Sequence, residues 1–333
     1  MKILLVCIVV YGLAACSHVS YYNQAVRGHF DLMSRRQPIE AILEAEHTDP
    51  ALLERLRMAR DIRNFASQAL ALPENGSYRN YVALDRPYVT WAVYAAPALS
   101  LVPKRWCFPV AGCVPYRGYF SKQEAITFAQ GLRAQGLDVH VAGVTAYSTL
   151  GWFDDPLLST MIRHGETSVA GLIFHELAHQ RLYVDDDTAL NEAFAMIVQQ
   201  EGVRRWLKRN RSKQDLAKFE QALLRRQDFY ALIDRVRHKL ISVYDSDRGD
   251  GAKRDAKQQL FMEAQRSYRR LKEGWGGYSE YDGWFGQPFN NAKLVSVSVY
   301  HERIPDLIQL LESCEGDLEC FYLRVEDIGR TPP

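Results

Sequence analysis

The chain has 333 residues, of which 47% are hydrophobic and 24% are charged, and its formal net charge is +1. This composition is that of an ordinary globular protein, and the length suits one large domain or two modest ones. A net charge this close to zero gives no support for nucleic acid as a partner.

The amino terminus has the pattern of a secretory signal. Lys2 precedes an apolar run over residues 3–15, which is too short to span a bilayer comfortably. The run ends in Leu-Ala-Ala and is followed by Cys16, and this ending resembles the lipobox of bacterial lipoproteins. We predict a signal peptide over residues 1–15, lipidation of Cys16 and a tether over residues 16–37. An ordinary signal peptide that is cut after Ala15 is the alternative.

The interpretation as a lipoprotein also predicts where the protein resides. Ser17, rather than aspartate, follows Cys16 and suits sorting to the outer membrane. We therefore expect a lipid-anchored protein of the cell envelope, on the periplasmic face of the outer membrane. Only the acyl chains would contact the membrane, because no later segment is long and apolar enough to cross it.

The first half of the chain predicts helices and strands in alternation. Apolar residues at helical spacing over residues 39–72 indicate two helices, which are separated at residues 48–50. β-branched and aromatic residues predict a strand over 88–94. A helix over 121–135 and a strand over 137–144 follow.

The second half is predominantly helical. We predict a helix over 188–209, a helical hairpin over 213–273 with its loop at 245–251, and helices near 291–301 and 304–313. A loop rich in glycine and aromatic residues, 274–286, is placed to border a groove. The predicted fold class is α+β, predominantly helical, with a small sheet beside the motif helices and one domain over residues 38–333.

The cysteines beyond the amino-terminal segment form two close pairs. Cys107 and Cys113 are six residues apart, and so are Cys314 and Cys320. This spacing suits two small-loop disulfides in an oxidising compartment. A structural zinc site with four cysteine ligands is the alternative, although such sites usually have shorter spacings.

The strongest chemical signal is the segment His-Glu-Leu-Ala-His, residues 175–179. Positions i and i+4 of an α-helix share one face, so His175 and His179 can bind one metal ion. Glu176 directly follows the first histidine, where its carboxylate can reach water at the metal. Before this segment, Thr167 or Ser168 can cap the motif helix.

A catalytic zinc site needs a third protein ligand. Glu192 lies thirteen residues after His179, in the first turns of a helix that follows a short acidic turn. Two helices joined this tightly pack side by side, so Glu192 can reach the same metal. Two histidines and one glutamate are a known catalytic zinc set. We predict one Zn²⁺ per chain, with Glu176 as the general base of peptide-bond hydrolysis.

Several other residues are candidates for binding or catalysis. Tyr147, Tyr300 and Arg117 are candidate donors to the carbonyl oxygen of a substrate. An exopeptidase would also need an acidic group for the α-ammonium of its substrate, and three acidic residues lie close to the motif in sequence: Asp154, Asp155 and Glu166. Asn191 suits either the orientation of a ligand or the capping of a helix.

The sequence resembles a bacterial family of predicted aminopeptidases, which are zinc-dependent lipoproteins of the gluzincin type. The resemblance is carried by blocks at residues 106–110, 114–120, 143–153, 155–159, 175–180, 191–195, 290–294 and 316–318. It implies a zincin-like metallopeptidase fold, aminopeptidase activity, peptide substrates, and zinc bound by His175, His179 and Glu192. An envelope endopeptidase and a non-catalytic lipoprotein that binds zinc or peptides remain the alternatives.

Overall fold

The computed structural model describes residues 20–108, 112–210, 213–298 and 303–330. The predicted signal peptide, Cys16 and Tyr300 lie outside these residues. Within them, no helix is long and apolar enough to cross a membrane.

Residues 20–34 form a helix, α1, inside the segment predicted to be a tether. This helix packs on the protein, because Leu32 is 1% exposed and the rings of Tyr21 and Tyr119 lie 5.5 Å apart. Other apolar residues of α1, including Val26 and Phe30, are exposed. The apolar residues therefore lie on more than one face, and the sequence shows no clear amphipathic period there.

The two helices predicted over residues 39–72 are present as α2 (Ile39–Glu44) and α3 (Pro50–Leu70). The carboxylate of Asp49 accepts a hydrogen bond from the Ala51 amide at 3.1 Å and caps α3, which has Pro50 in its first turn. On α3, the buried guanidinium of Arg63 donates to three carbonyl oxygens, which belong to Pro73, Asn75 and Ser77. This arginine fixes the turn that leads to the first sheet.

In the described part of the chain, eight short strands form three small sheets. The strands are β1 Gln37–Pro38, β2 Asn80–Val82, β3 Thr90–Pro97, β4 Trp106–Phe108, β5 Gly112–Val114, β6 Tyr116–Tyr119, β7 Leu137–Val144 and β8 Leu157–Leu158. One sheet has the order β1-β2-β8, the second has the order β6-β3-β7, and β4 and β5 form a hairpin. The predicted strands at 88–94 and 137–144 are the antiparallel neighbours β3 and β7.

The remaining helices complete an α+β fold that is predominantly helical, as predicted. They are α4 Lys122–Ala134, α5 Glu166–Arg181, α6 Thr188–Asn210, α7 Lys213–Tyr244, α8 Asp250–Gly274, α9 Asp282–Phe285, α10 Asn291–Ser298, α11 Ile304–Ser313 and α12 Leu318–Arg330. The largest buried apolar cluster joins α3, α5, α6 and α12. A second cluster lies between α7 and α8, which form the predicted hairpin.

Both predicted cysteine pairs are disulfide-bonded. Cys107 and Cys113 face each other across the β4–β5 hairpin, and Cys314 is joined to Cys320 near the start of α12. Neither pair is therefore available as thiolate ligands, which excludes the four-cysteine zinc site considered as an alternative. The β4–β5 hairpin also contacts the acidic turn before α6, where the Cys113 amide donates to the Asp186 carboxylate at 2.9 Å.

Asn291, at the start of α10, connects the helical hairpin to the second sheet. Its side chain is fully buried, and the two N–H groups of its amide share three carbonyl oxygens at the end of β3 and just after it, those of Pro97, Ala98 and Ser100, at 2.9–3.1 Å. Its side-chain oxygen accepts a hydrogen bond from the Tyr244 hydroxyl at 2.8 Å. One amide thus satisfies polar groups of α7 and of the end of β3.

The substitution Asn291→Ala is expected to lower the free energy of unfolding by about 3 kcal/mol, because it leaves buried donors and acceptors without partners. Chemical denaturation of the two proteins measures this difference. The exposed Gln287→Ala is the matched control and should change stability by less than about 0.5 kcal/mol. A loss below about 1 kcal/mol in Asn291→Ala would contradict the role given to this amide.

Candidate active site

The motif helix α5 is held almost entirely inside the protein. Ile173, Phe174 and Leu177 are completely buried. Their packing fixes the position of the helix and the orientation of the face that carries the two histidines. A side chain at Gly202 of α6 would lie 2.7 Å from the Phe174 ring, so this glycine permits close approach of α5 and α6. The helix begins at Glu166, with Gly165 as its N-cap, so the predicted cap at Thr167 or Ser168 is wrong by two or three residues.

The chain reverses between α5 and α6 within six residues, and Asn191 clamps this reversal. Its side-chain oxygen accepts from the Val184 amide at 2.7 Å, and its side-chain nitrogen donates to the Val184 carbonyl at 2.7 Å. The Asp187 carboxylate, in the acidic turn, accepts from the Leu190 amide at 2.9 Å and caps α6. Asn191 therefore orients backbone, and the next residue along α6 is Glu192.

His175, His179 and Glu192 converge on one point. The two Nε2 atoms of the histidines are 3.1 Å apart. The Glu192 carboxylate oxygens lie 3.4 Å from Nε2 of His175 and 3.8 Å from Nε2 of His179. Of the residues that the structure describes, these are the ones that form a group of ligand atoms, all within 4.8 Å of one another.

The spacing of these atoms fits a tetrahedral zinc ion. Ligands at about 2.0–2.1 Å from a tetrahedral zinc lie about 3.3 Å apart. The separation of the two Nε2 atoms, 3.1 Å, is close to this value, and one carboxylate oxygen of Glu192 lies 3.4 Å from His175 while the other lies 3.8 Å from His179. Two imidazole nitrogens and one carboxylate are also the donor set of a known class of catalytic zinc site. The residues therefore fit the metal that the sequence predicts.

The far side of each imidazole has a different environment. Nδ1 of His175 lies 3.2 Å from Oε1 of Gln199, on α6, which fixes the ring with Nε2 toward the cluster. Nδ1 of His179 is buried, and no hydrogen-bond partner for it occurs among the described residues. Gln199 is an orienting residue that the sequence analysis missed, because its role depends on the packing of α6 against α5.

The charges of the cluster depend strongly on one another. Burial lowers the pKa of His175, but its hydrogen bond to Glu192 and the charge of that carboxylate outweigh burial, so the net shift is upward. Burial and the charge of His175 lower the pKa of His179 to about 4. Burial raises the pKa of Glu192, and the two histidines reverse this, so that its pKa is lowered. The cluster thus favours a protonated, positively charged His175 beside an ionised Glu192.

Glu176 lies in a dry environment beside the cluster. Burial raises the pKa of its carboxyl group to about 7, and the charges of Glu192 and Asp155 add to this rise while His175 opposes it. The Ser148 hydroxyl also bonds to the Glu176 carboxylate. A carboxyl group with a pKa near neutrality can both accept and donate a proton, as a general base must.

Two tyrosines that the sequence analysis did not select lie close to these carboxylates. Tyr78 is 1% exposed, and its hydroxyl has no hydrogen-bond partner in the described part of the chain. Burial and then the charge of Glu176 raise the pKa of Tyr78. Burial, the nearby Tyr94 and the charge of Glu192 raise the pKa of Tyr116, on β6. Both hydroxyls therefore remain protonated donors.

The three candidate donors from the sequence have other positions. The hydroxyl of Tyr147 lies 3.1 Å from Nδ1 of His29, on α1. The guanidinium of Arg117 stacks 3.8 Å from the centroid of the Tyr21 ring, and it follows Tyr116 on the strand, so these two side chains leave β6 on opposite faces. Tyr300 is outside the described residues.

The acidic residues proposed for an α-ammonium group have partners elsewhere. Glu166 accepts from the Trp206 indole at 2.9 Å. Asp155 is fully buried and accepts from Thr149 and Gln180, which places it behind the motif helix. The backbone carbonyl of Asp154 accepts from the Arg36 guanidinium, just after α1, and the Asp154 side chain packs on Gly76. None of the three lines the groove at the cluster.

A groove of about 380 Å³ opens at His175 and Glu192. The residues predicted to border a groove, 274–286, supply Tyr281 and Trp284 to its wall. The other lining residues come from α6, α7 and α10: Met196, Gln199, Arg226, Phe229, Tyr230, Ser296 and Val297. An open, largely apolar groove beside a polar cluster is typical of a substrate-binding site.

The fold and the cluster define a helical α+β protein with a buried two-histidine, one-glutamate site that opens into an aromatic groove. The chain belongs to the family described as "putative aminopeptidase", whose model matches residues 20–333. Neither the curated proteins nor the solved structures contain a significant match to the chain. The predicted family is confirmed at this level, and its name makes a peptidase plausible.

Replacing the clamp of the α5–α6 reversal tests how Glu192 is positioned. Asn191→Ala removes both bonds to Val184 and is expected to lower the free energy of unfolding by about 2 kcal/mol. Hydrogen exchange of the amides in residues 182–187 should become faster than in the unaltered protein. Lys208→Ala, at an exposed position of the same helix, is the control. Unchanged exchange in Asn191→Ala would show that the clamp is dispensable.

Proposed function

We propose that this protein is a zinc-dependent metallopeptidase, with a zincin-like arrangement of helices, that removes amino-terminal residues from peptides. The observation that carries the proposal is the convergence of His175, His179 and Glu192 at separations of 3.1–3.8 Å. Those residues would hold one Zn²⁺. When bound there, zinc supplies Lewis acidity, which lowers the pKa of water and polarises a carbonyl group.

The protein's own residues would perform the proton transfers. Glu176 follows the first histidine on the same helix and lies half-buried beside the cluster. In the proposed reaction its carboxylate takes a proton from the attacking water and delivers it to the leaving amine. A purely structural metal site has no use for a carboxylate in this place, and this argues against the non-catalytic alternative.

The substrate's carbonyl oxygen gains negative charge during the attack and needs a donor. The hydroxyls of Tyr78 and Tyr116 are candidates for this role, because the charge of Glu176 acts on Tyr78 and the charge of Glu192 acts on Tyr116. Tyr147 is less suited, because its hydroxyl lies against His29. The preference for amino-terminal residues rests on the family description alone.

The proposal includes export and anchoring through a lipid on Cys16. It is supported by the apolar run at residues 3–15 and by the Leu-Ala-Ala-Cys sequence at its end. The two disulfides are compatible with an oxidising compartment such as the periplasm. The site would then act on peptides outside the cytoplasm.

The substitution Glu176→Gln tests the proposed mechanism. It removes the proton acceptor but no metal ligand, so hydrolysis of aminoacyl and internally quenched peptides should fall by about 100-fold or more. Zinc content, measured by mass spectrometry, should stay at one ion per chain. In the unaltered protein a chelator should abolish activity, and added Zn²⁺ should restore it.

Glu273→Gln, at an exposed position of α8, is the matched control and should keep full activity. Full activity in Glu176→Gln would refute the mechanism. Activity that survives complete removal of metal would refute zinc dependence.

A further inference from the structure

The groove beside the cluster has a wall that is already formed. Phe229 of α7 is 4% exposed, and its ring stacks on Tyr281 with the centroids 4.4 Å apart. Trp284 packs edge-on against the Phe229 ring, with the centroids 5.2 Å apart. Phe285, in the buried cluster between α7 and α8, also packs against Phe229. Rings fixed in this way can receive a large apolar side chain without first becoming ordered.

Arg226 is a cation on this wall. It lies on the same face of α7 as Phe229 and Tyr230, which follow it by three and four residues, and it is half-buried. Its charge acts on the phenol groups of Tyr230 and Tyr281, which places the guanidinium beside the rings of the groove.

The neighbouring arginines have partners, and this sets Arg226 apart. Arg225 stacks 4.1 Å from the Tyr278 ring centroid and donates to the Trp275 carbonyl. Arg204, on α6, pairs with a glutamate at 2.7 Å. Across the described ranges, no hydrogen bond or ion pair joins Arg226 to a carboxylate. Among the residues that line the groove, Glu192 is the one acid, and its partners are the two histidines.

We propose that the groove binds a carboxylate of a short peptide, with Arg226 as the residue that holds it and the ring of Phe229 and its stacked neighbours as the surface for an adjacent large apolar side chain. This inference rests on the proposed function and names the substrate class of the same site. A planar guanidinium forms two parallel hydrogen bonds with a carboxylate, which gives orientation as well as affinity.

The size of the groove favours short peptides. Its volume of about 380 Å³ is near the lower end of the range of roughly 300–1,000 Å³ that is usual for small-molecule sites. When the cleaved bond is the amino-terminal one, as in the proposed function, a free α-carboxylate lies close to it only in peptides of a few residues. The carboxylate of an acidic side chain has the same chemistry, so the experiment must separate these two sources.

Three tripeptides provide the separation: Leu-Gly-Phe as the free acid, Leu-Gly-Phe as the carboxyl-terminal amide, and Leu-Gly-Glu as the carboxyl-terminal amide. The zinc-loaded protein should show a kcat/KM for the free acid on the order of 10- to 100-fold above that for Leu-Gly-Phe amide. In Arg226→Met this ratio should fall to about one, and Arg226→Lys should give an intermediate ratio. Arg235→Met, at an exposed position of the same helix, should keep the ratio of the unaltered protein.

Equal rates for the acid and the amide in the unaltered protein, or a preference that survives in Arg226→Met, would overturn the proposal. A preference for Leu-Gly-Glu amide over the free acid would assign Arg226 to an acidic side chain instead of the α-carboxylate. Binding of the same peptides to zinc-loaded Glu176→Gln, measured by calorimetry, separates this inference from the proposed function. Preferential binding of the free acid without any hydrolysis by the unaltered protein would refute the peptidase and retain the carboxylate site.

Discussion

The short reversal between α5 and α6 is the constraint on which the site depends. The histidines are fixed on one helix and Glu192 on the next, so their convergence requires that these helices meet at a defined angle and register. The bonds of Asn191 to Val184 and the cap by Asp187 determine that register. Gly202, where a side chain would collide with Phe174, allows the two helices to approach closely.

The electrostatics of the cluster follow from this packing. Two imidazoles and a carboxylate are brought together where little water can reach them, and the lone pairs of two Nε2 atoms face each other at 3.1 Å. Without a cation, at least one proton must separate these atoms. The pKa of His175 is raised and that of Glu192 is lowered, because a positive imidazolium and a negative carboxylate stabilise each other here. A divalent ion meets the same demand with three ligands at once.

The sequence predicts local features of the site well. The relation between His175 and His179 is contained in one turn of helix, and Glu192 follows after a turn too short to separate its helix from α5. The strands β3 and β7, the hairpin of α7 and α8, and both disulfides also follow from local patterns. Each of these depends on residues that are close in the chain.

The features that the sequence does not predict depend on distant contacts. Tyr78 lies in the turn before β2 and Tyr116 lies on β6, both far along the chain from the motif helix. Arg226 joins the groove from α7, far along the chain from His175. No period or spacing relates such residues. Tyr147 was selected for its nearness in sequence to the motif, and the structure directs its hydroxyl to His29. The groove could be anticipated only from the aromatic loop, because its other wall is formed by helix packing.

The proposed zinc site is tested most directly by locating the metal in crystals of the zinc-loaded protein, with diffraction data collected on both sides of the zinc absorption edge. The account predicts one strong anomalous peak per chain, about 2.0–2.2 Å from Nε2 of His175, Nε2 of His179 and a carboxylate oxygen of Glu192, with one coordination position left open. The absence of a peak among these atoms, or a fourth protein side chain that closes the coordination, would contradict it.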